Sequence, residues 1–495
     1  MGMNNLIVLP LLIPLVTAVV LIFLQKKTKV QRWISLVSVS INIVSALLII
    51  GQVKEKGIQT LYMGGWLPPY GIVFVADMFA ALLVLTTLVA AAGCLLFAFR
   101  TVGDQREKYY FYPFFQFLLA GVLGSFLTGD LFNMFVCFEV MLISSYALIV
   151  LGGTKRQLRE TLKYILINIL SSTLFVAAMA YLYGTVGTLN MAHLSLRVAE
   201  AQQAGILNVI AILFLIVFAL KAGLFLFFWL PGSYSVPPTA VIAVFGALLT
   251  KVGLYAMIRT FTLIFYHDAG FTHTVIAWMA AATMILGGLG AVAYKDLPRI
   301  LNYNVVISVG FIAFGLAVAT KDSLDGTVLY LIHDMIAKAL MFILGGMIIA
   351  AAGTNKLNEM GGLIKKYPAL GWMFFILVLA LVGIPPLSGF PGKVLLVRGG
   401  IGEGHFWLTG VAVASSLLVL YSLIRVFMGA FWREDPLLPA SEKKKWHGAA
   451  YVSAVALFML VIGLGLGSEW VYSYTGQAAD VLVDPSIYIE AVLKE

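Results

Sequence analysis

About fourteen times along this chain the sequence runs for roughly 20 residues with almost no charge, the length that a helix needs to cross the hydrocarbon layer of a bilayer. The runs lie near 5–25, 32–52, 71–99, 111–129, 130–152, 161–184, 207–230, 239–264, 273–294, 300–320, 327–350, 369–397, 406–431 and 447–468. Nothing else constrains the fold as strongly. In hydrocarbon every backbone N–H and C=O must be satisfied within the protein, so runs of this length become helices. Of the 495 residues, 61% are hydrophobic and 11% charged, more apolar surface than a soluble chain of this size can hide. The expected fold class is an all-α polytopic membrane protein. Met1 to Asn5 holds no basic residue, so the first run is expected to stay as a helix and not to be cleaved as a signal.

The loops test the count. With alternating spans, one side collects Lys26, Lys27, Lys29, Arg32, Arg100, Arg106, Lys108, Lys155, Arg156, Arg159, Lys163, Lys295, Arg299, Lys356, Lys365, Lys366, Arg433, Lys443, Lys444 and Lys445. The other side holds only Lys54, Lys56, Arg197, Arg259, Lys321, Arg398 and Lys494. Basic loops stay in the cytoplasm, which puts both termini outside. The net charge of +9 is then a consequence of topology and calls for no nucleic-acid partner. Cys94 and Cys137 fall inside apolar runs at no metal-ligand spacing and read as packing residues. No nucleotide loop, metal motif or nucleophile triad is present, so neither cofactor nor metal is expected.

Five basic residues remain inside spans: Lys221, Lys251, Lys338, Lys393 and Arg425. Glu139, nine residues past the corner Thr128–Gly129–Asp130 and so about 13–14 Å along a helix, is the matching buried acid. An ammonium at mid-membrane costs roughly 2.5–3.5 kcal/mol on insertion scales. Lys221 and Lys251 are read as near the middles of two helices that meet at a corner rich in proline (Pro231, Pro237, Pro238). Lysine suits a proton relay because leaving water weakens its hold on the proton, while a nearby carboxylate restores it. His333 and Lys338, five apart in YLIHDMIAKALMF and about 140° around the helix, can serve successive steps. The plainer readings are a structural ion pair for Glu139 and Lys221, snorkelling for Lys251 and packing for His333. Asp77 and Asp334 read as polar gates or helix-end groups, and Arg425, always charged, as an anchor or electrostatic tuner.

The spacing of these residues suggests two units. With residues 111–264 (helices four to eight) as one and 265–432 (nine to thirteen) as the other, Lys221 and Lys393 fall in the fourth helix of each, and Lys251 and Arg425 in the fifth. An odd number of helices per unit inverts the second relative to the first. Residues 1–110 supply three N-terminal helices, and 433–495 the fourteenth helix and a tail. The twelfth run is broken by GIPPLSGFPGK (Gly383 to Lys393), which is not compatible with continuous α-helix; broken backbone at that depth must be buried in protein or line a polar cavity. Met191 to Gly205 reads as a short amphipathic surface helix.

These motifs carry a resemblance. GDLFNMFVCFEVMLISSYALI, KAGLFLFFWLPGSYSVPPTAV, ALLTKVGLY, HDMIAKALMF and GIPPLSGFPGK resemble the antiporter-like membrane subunits shared by respiratory complex I and Mrp-type cation/proton antiporters, over nearly the whole chain. The resemblance implies a horizontal chain of protonatable groups, here Glu139, Lys221, Lys251, His333, Lys338 and Lys393. Length, Lys393 and the wording of the fifth and seventh helices are most similar to the D-type branch of the Mrp side. That implies a hetero-oligomer with Mrp subunits A, B, C, E, F and G, in which protons drive sodium export. A proton-pumping subunit of a complex I-type NADH:quinone oxidoreductase stays open as the alternative, with redox chemistry in partner chains either way. A passive scaffold is disfavoured by the central lysines.

Overall fold

The computed structural model describes residues 4–434 and 448–493, so the loop lysines Lys443, Lys444 and Lys445, and Lys494, lie outside the described residues. The long helices in chain order are α1 (Leu9–Phe23), α2 (Thr28–Lys56), α3 (Met78–Thr101), α4 (Phe111–Leu127), α5 (Leu131–Ile149), α6 (Lys155–Val186), α7 (Ile206–Ala222) and α8 (Thr239–Leu263). They continue with α9 (Ala269–Ala293), α10 (Leu297–Val318), α11 (Lys321–Ala352), α12 (Pro368–Val382), α13 (Gly389–Gly402), α14 (Phe406–Phe427), α15 (Ala449–Leu466), α16 (Ser468–Val483) and α17 (Pro485–Leu493). Among the described residues 11 helices are long and apolar enough to cross a membrane, and α4, α7 and α12 are shorter apolar ones. The surface helix expected after Met191 runs over Met191–Glu200.

The helices differ sharply in what surrounds them. α8 and α10 are buried over almost their whole length, and α3 and α11 over most of it, whereas α1, α6 and α15 turn much of their apolar surface outwards. The first four form the core. Lys251 and Lys338 lie on core helices.

Corners are fixed by capping and by single backbone bridges. Asp130 caps α5 by accepting from the Asn133 N–H at 2.8 Å, and the corner pairs with Asn190. Asp296, before α10, pairs in the same way with Lys356. α6 and α11 both begin with a threonine capping box, Thr154 and Thr320, and both end at a left-handed glycine, Gly187 and Gly353.

The structure corrects several expectations. The third run does not begin as helix: Val73–Ala76 forms a β-strand, β2, antiparallel to β1 (Gln59–Tyr62), with Gln59 opposite Ala76. The β-branched Val73 and Val75 favour extended backbone, and the Asp77 carboxylate starts α3 by accepting from the Ala80 N–H. The seventh run is not one helix. α7 stops at Ala222, where Gly223 turns left-handed (φ +75), and only the one-turn helix Leu230–Ser233 follows before α8. Lys221 therefore sits in the last turn of α7, not near a helix middle. In the twelfth run the break spans residues 383–388, with Lys393 already inside α13. The expected tail carries the helices α16 and α17, tied down by Lys321–Asp480 (2.6 Å) and by a bond from the Tyr62 hydroxyl to the Val492 carbonyl (2.9 Å). Arg259, counted above with the loops, is buried in α8 and paired with Asp77 at 2.6 Å.

Candidate functional site

The first polar group in the membrane interior joins α5, α6 and α7. The Ser172 hydroxyl donates to Glu139 Oε1 and accepts from Lys221 Nζ at 3.3 Å. Glu139 and Lys221 are thus linked through a serine, and Lys221 also lies over the Phe138 ring, 5.4 Å from its centroid. Because α7 ends one residue later, its last carbonyls lack helical partners. The Leu220 carbonyl accepts instead from the Trp229 indole at 3.1 Å, which folds the broken segment back beside Lys221. Phe225, in the left-handed region without being glycine (φ 60), donates its N–H to Thr283 on α9 at 2.7 Å.

The second group is at the centre of the protein. Lys251 Nζ lies 2.8 Å from Asp334 Oδ2 and donates to the Gly246 carbonyl at 2.8 Å. Lys338, one turn beyond Asp334 on α11, approaches its other oxygen at 3.6 Å and donates to the Asn304 carbonyl of α10 at 3.0 Å. Lys251 and Asp334 are 0% exposed and Lys338 2%, so bulk solvent does not reach this triad. The approach of α8 to α11 depends on Gly246: a Cβ there would stand 2.1 Å from the Phe342 ring. Two lysines from different helices share one carboxylate.

The third group surrounds the break between α12 and α13. Lys393 Nζ donates to the Leu381 and Val382 carbonyls (3.1 and 3.0 Å) and to Ser416 Oγ (2.9 Å). It thereby fills the acceptors left free where α12 stops at Gly383. The Phe311 ring lies beneath it at 4.9 Å. A cleft of about 660 Å³, lined by Phe390, Val394 and Val413, reaches Lys393 and Ser416 from the side. His333 Nδ1 is bonded to Ser388 Oγ at 2.7 Å, and its Nε2 has no hydrogen-bond partner among the described residues.

Lys221, Lys251, His333, Lys338 and Lys393 are therefore buried, whereas Glu139, expected as a buried acid, is only half-buried on the outward side of α5. The six fall in three clusters that no direct hydrogen bond joins among the described residues. The first two meet through backbone: a Cβ on Gly253 of α8 would stand 2.6 Å from the Ala222 nitrogen, next to Lys221. Arg425 stands apart from them. Its guanidinium donates to the Val292, Tyr294 and Ala291 carbonyls (2.5, 2.6 and 3.2 Å), capping α9, so it is an anchor.

The family described as NADH:quinone oxidoreductase/Mrp antiporter, TM, matches residues 128–419, which hold all three clusters but not Arg425. The chain belongs to this family. The D subunit of a Na(+)/H(+) antiporter from Bacillus subtilis (strain 168) is 53% identical over 100% of both chains, and its counterpart from Alkalihalophilus pseudofirmus 49% over 100% of both. A chain in the structure of the Mrp complex from Dietzia sp. DQ12-45-1b matches 99% of this chain and 100% of its own length, with 30% identity and TM-score 0.91. Within the NADH:quinone oxidoreductase/Mrp antiporter family the chain is thus an antiporter-like subunit of the Mrp D type.

For this Mrp D-type protein, sequence reasoning left out of the relay two buried residues that the geometry puts in its clusters, Ser172 in the first and Asp334 in the second. Asp334 had a visible signal, a carboxylate four residues before a buried lysine. Ser172 had a weaker one, the polar run Ser171–Ser172–Thr173 in the middle of an apolar helix.

Proposed function

We propose that the chain is the proton-translocating subunit of a multisubunit Na+/H+ antiporter, a transporter component and not an enzyme, and that Glu139, Lys221, Lys251, His333, Lys338 and Lys393 carry the proton through the membrane interior. Asp334 and Ser172 join them. The protons drive sodium export from a bacterial cell whose plasma membrane the chain spans with both termini outside, in a complex with Mrp subunits A, B, C, E, F and G. The inverted units 111–264 and 265–432 supply corresponding halves. This pairing is supported by one shared interval in sequence, which separates Asp130 from Asp296, Thr154 from Thr320, Gly187 from Gly353 and Asn190 from Lys356.

The observation that carries this reading is the shared carboxylate. Asp334 balances one ammonium at a time, yet two stand within 3.6 Å of it. A second uncompensated cation at this depth is expensive, so a proton held on one lysine works against a proton on the other. A charge change at Lys221, next to α8, biases which lysine Asp334 pairs with, and His333 lies between that pair and Lys393 on α11 and its neighbour. Ser172 makes the first link a switch, because its one hydroxyl proton goes to Glu139 while its lone pair receives Lys221.

The test is substitution at Lys251, read as pH-dependent antiport in everted vesicles per assembled complex. Arginine keeps the charge at any accessible pH. Lys251→Arg should lose transport nearly as completely as Lys251→Ala while assembling better. Lys251→His, titrating nearer neutrality, should keep partial activity with its optimum moved to lower pH. Near-normal transport by Lys251→Arg would make Lys251 a fixed electrostatic post and move the proton path elsewhere.

A further inference from the structure

Where α7 stops at Ala222, the helical wall between α6 and α10 is left incomplete towards the basic-loop side. The one-turn helix Leu230–Ser233 is all that fills the gap, tied to α6 by Ser233 Oγ on the Glu160 carbonyl. Beside it lies a cleft of about 860 Å³, within the range of small-molecule sites.

We propose that this cleft binds an anionic phospholipid from the leaflet on the basic-loop side, with its phosphate among Arg156, Arg159, Lys163 and Arg299 and its chains along Leu166 and Phe228. Charge and apolarity are arranged for such a molecule. Two acids also line the cleft. Glu160 faces Lys163 at 3.0 Å and Arg159 at 4.0 Å, and Asp296 faces Arg299 at 3.9 Å. Arg156 has no acidic partner within 4.0 Å among the described residues, and four cations against two acids leave the mouth positive. Arg299 is aimed by the Tyr294 ring, 4.8 Å from its centroid. Below the charges, Leu166 (57% exposed) and Phe228 (66% exposed) offer bare apolar surface at the depth of acyl chains. A soluble phosphate would use only the upper half of this surface; a phospholipid uses both. The Trp229 indole forms part of the wall and donates to the Leu220 carbonyl, so a single ring separates the headgroup from the turn that carries Lys221.

The inference stands on the membrane fold and not on the proton relay. Its test uses the full-length chain with whatever subunits co-purify with it. After delipidation and transfer to phosphatidylcholine nanodiscs with or without phosphatidylglycerol, retained lipid is measured by mass spectrometry. The wild type should retain phosphatidylglycerol, and the double variant Arg156→Gln with Arg299→Gln should bind it roughly 30-fold more weakly, from the usual contribution of a basic residue near an anionic surface. Lys26→Gln with Lys27→Gln, equally basic but outside the cleft, should bind as the wild type does. A photoreactive benzoylphenylalanine in place of Phe228 should give lipid adducts. Equal retention by both double variants, displacement by inorganic phosphate alone, or adducts with a neighbouring protein chain would each overturn the proposal.

Discussion

Replacing Asp334 by asparagine changes one oxygen to an amide and leaves the shape of the central triad intact. It removes the only carboxylate within 4.0 Å of Lys251 and Lys338 among the described residues. Breaking a buried ion pair from one side costs about 3–5 kcal/mol, because the remaining charge is stranded. At ~1.4 kcal/mol per tenfold, that is two to nearly four orders of magnitude against the state in which both lysines hold protons. Asp334→Asn should therefore abolish antiport in everted vesicles and lower the thermal stability of the purified complex. The companion variant decides the cause. Lys251 makes the nearer contact, 2.8 against 3.6 Å, so Lys251→Met added to Asp334→Asn removes the main stranded charge. Replacing an ion pair by neutral groups of similar volume is often neutral or stabilising. The double variant should regain most of the lost stability and none of the transport. Should it be no more stable than Asp334→Asn alone, the stranded-charge argument is wrong; should Asp334→Asn transport normally, the triad has no part in proton movement.

The outer groups give sharper contrasts. Glu139→Ala should abolish transport in a complex that still assembles, and Glu139→Asp, which keeps the charge and loses reach, should be milder; normal proton movement in assembled Glu139→Ala would take that residue out of the path. Ser172→Ala removes the hydroxyl between Glu139 and Lys221, and loss of a buried hydrogen bond to charged groups, about 1.5–3 kcal/mol, should slow antiport by roughly 10- to 150-fold with membrane abundance little changed. Arg425→Gln should act in the opposite sense, lowering stability by about 1–3 kcal/mol through the uncapped carbonyls of α9 while antiport per assembled complex stays near normal.

What could be read in the sequence was whatever a single helix determines. The placement of Glu139, His333 and the lysines at 221, 251, 338 and 393 within apolar helices followed from apolar runs, because only helix length and hydrocarbon thickness enter; that Glu139 is half-buried and the other five buried did not. The break after α12 was written in Pro385 and Pro386. The break after α7 was harder to see, since Gly223 stands alone in a run of leucine and phenylalanine that reads as continuous helix. Partnerships were out of reach for another reason. That Lys251 meets Asp334 depends on how α8 crosses α11, and hence on Gly246 admitting the Phe342 ring. Arg259 looked like a loop cation because its partner, Asp77, comes from a distant part of the chain and from a corner that hydropathy had merged into a span.

The pairing of Lys251 with Asp334 also sets a timetable for synthesis. Lys251 leaves the ribosome about eighty residues ahead of its carboxylate, roughly 4–16 s at ~5–20 residues/s. Throughout that interval α8 enters the membrane without the carboxylate that pairs with its lysine in the folded protein. An isolated helix of this kind sits poorly in lipid, so α8 is expected to wait beside the translocon, or with its lysine unprotonated, until α11 arrives. A ribosome stalled between these two helices would leave α8 open to crosslinking with the translocon, and one stalled beyond α11 would not.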